Sequence, residues 1–80
     1  MIYTYLIKSL KSGIYYTGIS ADPKKRLLEH NLGKLRTTSI HKPFALVYHK
    51  AYANYQEARK HELWLKKKNR KYKDSLYLPL

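Results

Sequence analysis

The chain has no cysteine, and only five acidic residues, Asp22, Glu29, Glu57, Glu62 and Asp74, stand against seventeen lysines and arginines. Lack of cysteine excludes a secreted disulfide scaffold, and nothing in the chain suggests a structural metal cage, so apolar packing must hold the fold. No apolar run reaches the length of a membrane span. The N-terminus MIYTYLIKSLKSG lacks a positive start followed by an uncharged apolar core, so no signal peptide is read and a cytoplasmic location is expected. The shortage of acids bears on chemistry too. Two-metal nucleases need several carboxylates to hold paired cations, so any nuclease chemistry here would use one ion or none. There is no GxxxxGK[ST] phosphate loop, and no serine and histidine are placed to suggest a hydrolase triad. His41, His49 and His61 lack any tight spacing with cysteine or aspartate, which argues against zinc. Neither an internal repeat nor a low-complexity linker interrupts the chain.

What is present is positive charge and tyrosine. Eighty residues carry a formal net charge of +12 and nine tyrosines. That length makes residues 1–80 a single domain, and a domain so small buries only about 60% of its unfolded surface. A basic domain of this size commonly meets a polyanion, nucleic acid above all, and aromatic rings among cations suit base stacking. The plain alternative is a solvated basic surface with tyrosines packed in the core, their hydroxyls wet.

MIYTYLIK alternates as a strand, with Tyr3, Tyr5 and Ile7 facing one way and Ile2, Thr4 and Leu6 the other. SLKSG reads as a turn closed by Gly13, and IYYTGIS as the second strand of a hairpin. In ADPKKRLLEHNLG, Asp22 is an N-cap, Pro23 suits the first helical position and Gly33 can end the helix, whose apolar face would be Leu27, Leu28 and Leu32. FALVYHKAY suits a third strand, and NYQEARKHELWLKKKNRKYK reads as one longer helix. The expected fold class is α/β in β-β-α-β-α order, a small three-stranded antiparallel sheet flanked by helices.

Within the last helix, Tyr55, Ala58, Glu62 and Leu65 fall on one stripe, which sets a carboxylate among apolar neighbours. Such a group must be paired or bound to metal; a salt bridge to an arginine across the core is the plain reading. Glu29 and Glu57 are expected on the surface. In the first helix, Arg26 and His30 share a face. Together they suit a phosphodiester, since arginine grips an oxyanion and histidine can exchange a proton near neutral pH. A solvated face of a short basic helix explains the same pair.

Taken together, these residues resemble the GIY-YIG nuclease domain, and most of all its small stand-alone bacterial members. The literal GIY at 13–15 abuts YTG at 16–18, which is the wrong spacing for the family's two tyrosine motifs. Tyr5 and Tyr16, about eleven residues apart, have the right one. The first motif is therefore YTY at 3–5, departing from Gly-Ile at its first two positions, and Gly13 belongs to the turn. SADPKKRLLEHNLGK is similar to the family's helix, with Arg26, His30, Asn31, Gly33 and Lys34 in order. HKPFALVYHKAY is similar to its third-strand segment, and EARKHELWLKKKNRKYK to the helix that carries the metal-binding glutamate, here Glu62.

The resemblance implies a metal-dependent endonuclease that hydrolyses DNA phosphodiesters with one divalent ion, Mg²⁺ or Mn²⁺, on Glu62. Arg26 would neutralise a non-bridging oxygen, and a tyrosine, Tyr5 by preference, would deprotonate the water, with Tyr16 and His30 completing the network. A phenol with pKa near 10 needs neighbouring cations to favour its phenolate. Lys24, Lys25, Lys34, Arg36 and Lys66 are the candidates for a phosphate track. No appended DNA-binding domain is read, so target choice would lie in this module or in a protein partner, with branched or structured DNA as the expected substrate. Two other readings stay open: a basic nucleic-acid-binding module with a vestigial site, and an RNA-associated protein of ribosomal type.

Overall fold

The computed structural model describes residues 1–36 and 38–76. In chain order these form β1 (Ile2–Ser9), β2 (Tyr15–Ser20), α1 (Pro23–Asn31), a 3₁₀ turn (Ser39–His41), β3 (Phe44–Tyr52), α2 (Tyr55–Lys66) and α3 (Arg70–Leu76). The strands make one antiparallel sheet in the order β2-β1-β3. The α/β architecture and the β-β-α-β-α order of the strands and of α1 and α2 follow the sequence expectation, with the 3₁₀ turn added in the loop before β3.

β1 is central, with strands on both edges and helices on both faces, so its alternation places two sets of side chains in two interiors. Thr4, Tyr5, Leu6 and Ile7 are all at most 1% exposed. Residues directly opposite in an antiparallel pair share a face. Tyr5 lies opposite Gly18, and Ile7 opposite Tyr16, which puts Tyr5, Ile7, Tyr16 and Gly18 on one face. That face packs against α1, around a core of Tyr5, Ile7 and Phe44 with Tyr16, Leu27 and Leu46 beside them. The other face takes α2 and α3. There the Thr4 hydroxyl donates to the Ala58 carbonyl at 2.7 Å, and the Tyr15 hydroxyl donates to Asp74.

The ends of α1 are built as the residues dictate. The Asp22 carboxylate accepts from the Lys25 N–H at 3.1 Å, Pro23 opens the helix, and Gly33 turns the chain with φ +75°. The Gly33 N–H donates to the His30 carbonyl and the Lys34 N–H to that of Glu29, a Schellman termination. Asn31 then holds β3 in place. Its side-chain amide donates to the Phe44 carbonyl and its oxygen accepts from the Phe44 N–H, at 3.1 and 2.6 Å.

Three expectations are corrected. The apolar face of α1 is not Leu27, Leu28 and Leu32. The inward stripe runs through Pro23, Leu27 and His30, leaving Leu28 and Leu32 beyond its edge at 57% and 58% exposure. The last helix is two helices, because the Asn69 side chain accepts from the Tyr72 N–H at 2.8 Å and starts α3 afresh. Tyr55, at the exposed start of α2, drops out of its inward stripe, which is Ala58, Glu62 and Leu65.

Gly18 shows why a glycine follows the second tyrosine. The Tyr5 ring lies across it, so a Cβ there would sit 2.5 Å from Tyr5 Cζ. Gly18→Ala should therefore cost about 1–3 kcal/mol, as overpacking of a filled interior does. Urea unfolding measures this, and a cost near zero would show that the ring yields freely.

Candidate active site

Tyr5 is the pivot of the α1 face. Its hydroxyl lies 3.2 Å from His30 Nε2, and His30 Nδ1 lies 2.9 Å from Thr38 Oγ1. The Thr38 hydroxyl donates to the Leu35 carbonyl at 3.4 Å and so accepts from Nδ1–H. This network assigns the proton to Nδ1, leaving Nε2 to accept from Tyr5. The Tyr16 ring meets the His30 ring edge-on, with centroids 5.1 Å apart. His30 itself is wholly buried.

Electrostatics keep both partners neutral. Burial raises the Tyr5 pKa; the adjacent Arg26 guanidinium works against it, while Tyr16 and the Glu62 carboxylate add to the rise. Arg26 therefore acts in the expected direction, but desolvation wins, and the phenolate is not favoured in the resting site. His30 is pushed below the ordinary histidine value, first by burial and then by the charge of Arg26, against a small upward pull from Glu29. Wholly buried, His30 meets no phosphodiester directly, and any proton it exchanges passes through Tyr5. It is a buried, neutral hydrogen-bond acceptor that fixes Tyr5.

Arg26 faces outward from this cluster. Its side chain is 36% exposed and donates to Glu29 at 3.3 Å, so Glu29 is half-buried and engaged rather than freely exposed. Arg26 lines a groove of about 370 Å³ with Ile19, Ser20, Ala21, Asp22, Lys25 and Glu29. Lys24 and Lys25 sit on the first turn of α1, and Lys34 and Arg36 beyond its last turn, all exposed. The nine residues of α1 span about 13 Å, so any phosphate track joining the two groups runs along most of the helix.

Glu62 comes from the other side of the sheet. It is 6% exposed. Arg59 donates to Oε1 at 2.7 Å and the Lys66 ammonium lies 3.5 Å from Oε2, so its pairing is within α2 and not across the core. Lys66 is thus a neighbour of the carboxylate before it is a track residue. Both cations reach in on long, half-exposed arms that can leave. A hard ion such as Mg²⁺ binds through one or two carboxylates and completes its shell with water and phosphate oxygen, which one glutamate of this kind suits. Among the described residues no cluster of three His, Cys, Asp or Glu offers a fuller ligand set.

The sequence matches a known domain. The GIY-YIG catalytic domain model matches residues 1–75. The chain belongs to the GIY-YIG family. Among its relatives are UPF0213 proteins of Bacillus pumilus, 39% identical over 95% of this chain and 76% of theirs, and of Staphylococcus epidermidis, 36% identical over 89% and 87%. The solution structure of a UPF0213 protein from Bacillus halodurans superposes with a TM-score of 0.56 at 33% identity, covering 95% of this chain and 82% of that one.

On this GIY-YIG framework, Tyr5, Tyr16, Arg26 and His30 gather on the α1 face, with Glu62 near enough to act on the Tyr5 hydroxyl. Tyr15 points to the opposite face, toward Asp74. Tyr15 of the literal GIY triplet thus lies away from the cluster of Tyr5, Tyr16, Arg26 and His30. Two contributors were missed by sequence reasoning. Thr38, 3% exposed, orients His30 from a loop whose TTS run gives no sign of which hydroxyl turns inward. Gly18 was visible as the last letter of YTG, but the need for it lies in the cross-strand partner, Tyr5.

A buried neutral histidine makes stability depend on pH. With the His30 pKa lowered on folding, its contribution is complete above the unfolded value of about 6.5 and is lost as pH falls toward the folded value. His61, lowered by burial and by Lys50, acts in the same direction. The denaturation midpoint of the wild type should fall between about pH 7 and pH 5. His30→Gln should show a shallower fall, with the His61 share remaining. Parallel slopes would mean that His30 titrates alike in both states.

Proposed function

We propose that this GIY-YIG domain is a metal-dependent endonuclease that hydrolyses DNA phosphodiester bonds, with selectivity for branched or otherwise structured DNA. The observation that carries this reading is the convergence of Tyr5, Tyr16 and Arg26 on one sheet face, beside an open groove and within the field of Glu62. Structural basic proteins have no need to bury a tyrosine hydroxyl between an arginine and a neutral histidine.

In the proposed reaction the scissile phosphate lies in the Arg26 groove, where the guanidinium neutralises a non-bridging oxygen. Water attacks phosphorus in line with the leaving 3′ oxygen. Its proton passes to the Tyr5 oxygen while the Tyr5 proton passes to His30 Nε2, so that the phenol need not ionise first. Thr38 holds the imidazole for that transfer. Tyr16, half-exposed beside His30, orients the water. A single Mg²⁺ or Mn²⁺ held by Glu62 would neutralise charge on the leaving oxygen and reverse the carboxylate's upward push on Tyr5. Lys24, Lys25, Lys34 and Arg36, which make no ion pair among the described residues, would hold flanking phosphates, with Lys66 joining them once released from Glu62.

The second reading, a non-catalytic nucleic-acid-binding module, draws on the pairing of Glu62 with Arg59 and Lys66, which already neutralises the one inward carboxylate. The two readings separate on labelled duplex, flapped and branched DNA with Mg²⁺ or EDTA. Magnesium-dependent nicking is expected, with Glu62→Gln slowing it by orders of magnitude and leaving affinity within a few fold. Binding without nicking on every substrate would favour the module, and nicking by Glu62→Gln at the wild-type rate would remove Glu62 from the mechanism.

A further inference from the structure

The face of the molecule away from Tyr5 carries a second concentration of aromatic and cationic groups that the proposed reaction does not use. His61, Trp64 and Lys68 follow one another at helical spacing along and just beyond α2, and Tyr72 comes from α3. His61 is fixed from the sheet, its Nε2 lying 3.1 Å from the Tyr48 hydroxyl, with the Tyr52 ring 5.7 Å away. Trp64 stacks on His61 at 5.6 Å with 18° between the planes, and meets Tyr72 edge-on at 5.5 Å. The Lys68 ammonium stands 4.3 Å from the Trp64 ring centre and 5.7 Å from that of Tyr72.

Helix-to-helix packing explains only part of this. A tryptophan serving only as glue between α2 and α3 would be buried, yet Trp64 is 44% exposed and Tyr72 37%. Its helix neighbours at three and four residues are Lys60, His61, Lys67 and Lys68, so the exposed ring lies in a field of positive charge. Glu62, the acid nearest along α2, is buried on the opposite face and taken up by Arg59 and Lys66, and Glu57 is two turns away, about 10 Å. Asp74 is turned to Tyr15 and Lys8. An exposed indole, rigidly backed and bordered by lysines, is the combination that stacks an unpaired base while cations take its phosphates.

We infer that Trp64, backed by His61 and flanked by Tyr72 and Lys68, is a stacking platform for an unpaired base of single-stranded DNA. The inference deepens the nuclease reading by giving the substrate an unpaired segment held away from the site of cleavage. In the free protein the Lys68 ammonium occupies the ring face. A base displaces it, and the flexible arm turns to the neighbouring phosphate. Blunt duplex offers no free base face and gains nothing here beyond charge.

Trp64 is the one tryptophan of the chain, which makes the test direct. Its fluorescence is excited beyond the tyrosine absorption and titrated with oligo(dT) or with a blunt hairpin duplex, in EDTA so that no cleavage intervenes. A saturable quench with oligo(dT) and little change with the duplex is expected. Trp64→Ala should weaken oligo(dT) binding by roughly 5- to 150-fold with duplex affinity within twofold, and Trp64→Phe, which keeps a ring beside Tyr72, should recover part of the loss. Circular dichroism melts of both variants check that α3 still docks. Oligo(dT) binding without a quench, an equal quench by duplex, or Trp64→Phe binding oligo(dT) no better than a folded Trp64→Ala would overturn the platform. Failure of magnesium-dependent nicking sinks the nuclease reading and leaves the quench untouched, so the two are told apart.

Discussion

The hydrogen bond between Tyr5 and His30 ties together the central strand and α1, and through Thr38 the loop that follows the helix. Each partner is placed by a separate local rule. β1 alternation turns Tyr5 toward α1, the missing Cβ of Gly18 leaves room for its ring, and the Asp22 cap with the Gly33 termination fixes where His30 falls on the helix. A polar pair buried this deeply is tolerated because every donor and acceptor in it is used. Among the described residues no buried side-chain nitrogen or oxygen lacks a hydrogen-bond partner.

Charge is the second constraint. Asp22 caps α1, Glu29 steadies Arg26, Glu62 gathers Arg59 and Lys66, and Asp74 fastens α3 to the sheet through Tyr15 and Lys8. Four of the five acids thus have local tasks, and the surplus of positive charge is left to the surface. It is not evenly spread in chemical character. Along α1 the exposed cations stand without aromatic partners, as suits duplex phosphates, whereas at Trp64 they border rings, as suits bases out of the stack.

Those features governed by short-range rules were legible in the residues: the hairpin and its Gly13 turn, both ends of α1, the third strand, and the spacing that sets Tyr5 and Tyr16 on one face. What was not legible depended on distances across the fold. Leu28 and Leu32 look like core residues until the tilt of α1 selects Leu27 and His30 instead. KKKNRKYK carries no glycine or proline, so only the capping habit of Asn69 marks the break between α2 and α3. His30 looked by residue type like a direct partner of the phosphodiester, and burial, which no local pattern discloses, set it behind Tyr5. Burial likewise outweighed Arg26 at Tyr5.

The central claim is that the Tyr5 hydroxyl takes part in phosphodiester cleavage and does more than fill the core. The most direct measurement is the single-turnover rate of Tyr5→Phe at saturating protein, beside its affinity for the same DNA and its unfolding midpoint. Phenylalanine keeps the ring over Gly18 and removes only the oxygen. The rate should fall by roughly 10²–10⁴-fold, the scale of general acid–base catalysis, with affinity held within a few fold. A folded Tyr5→Phe protein that cleaves at the wild-type rate would contradict the account.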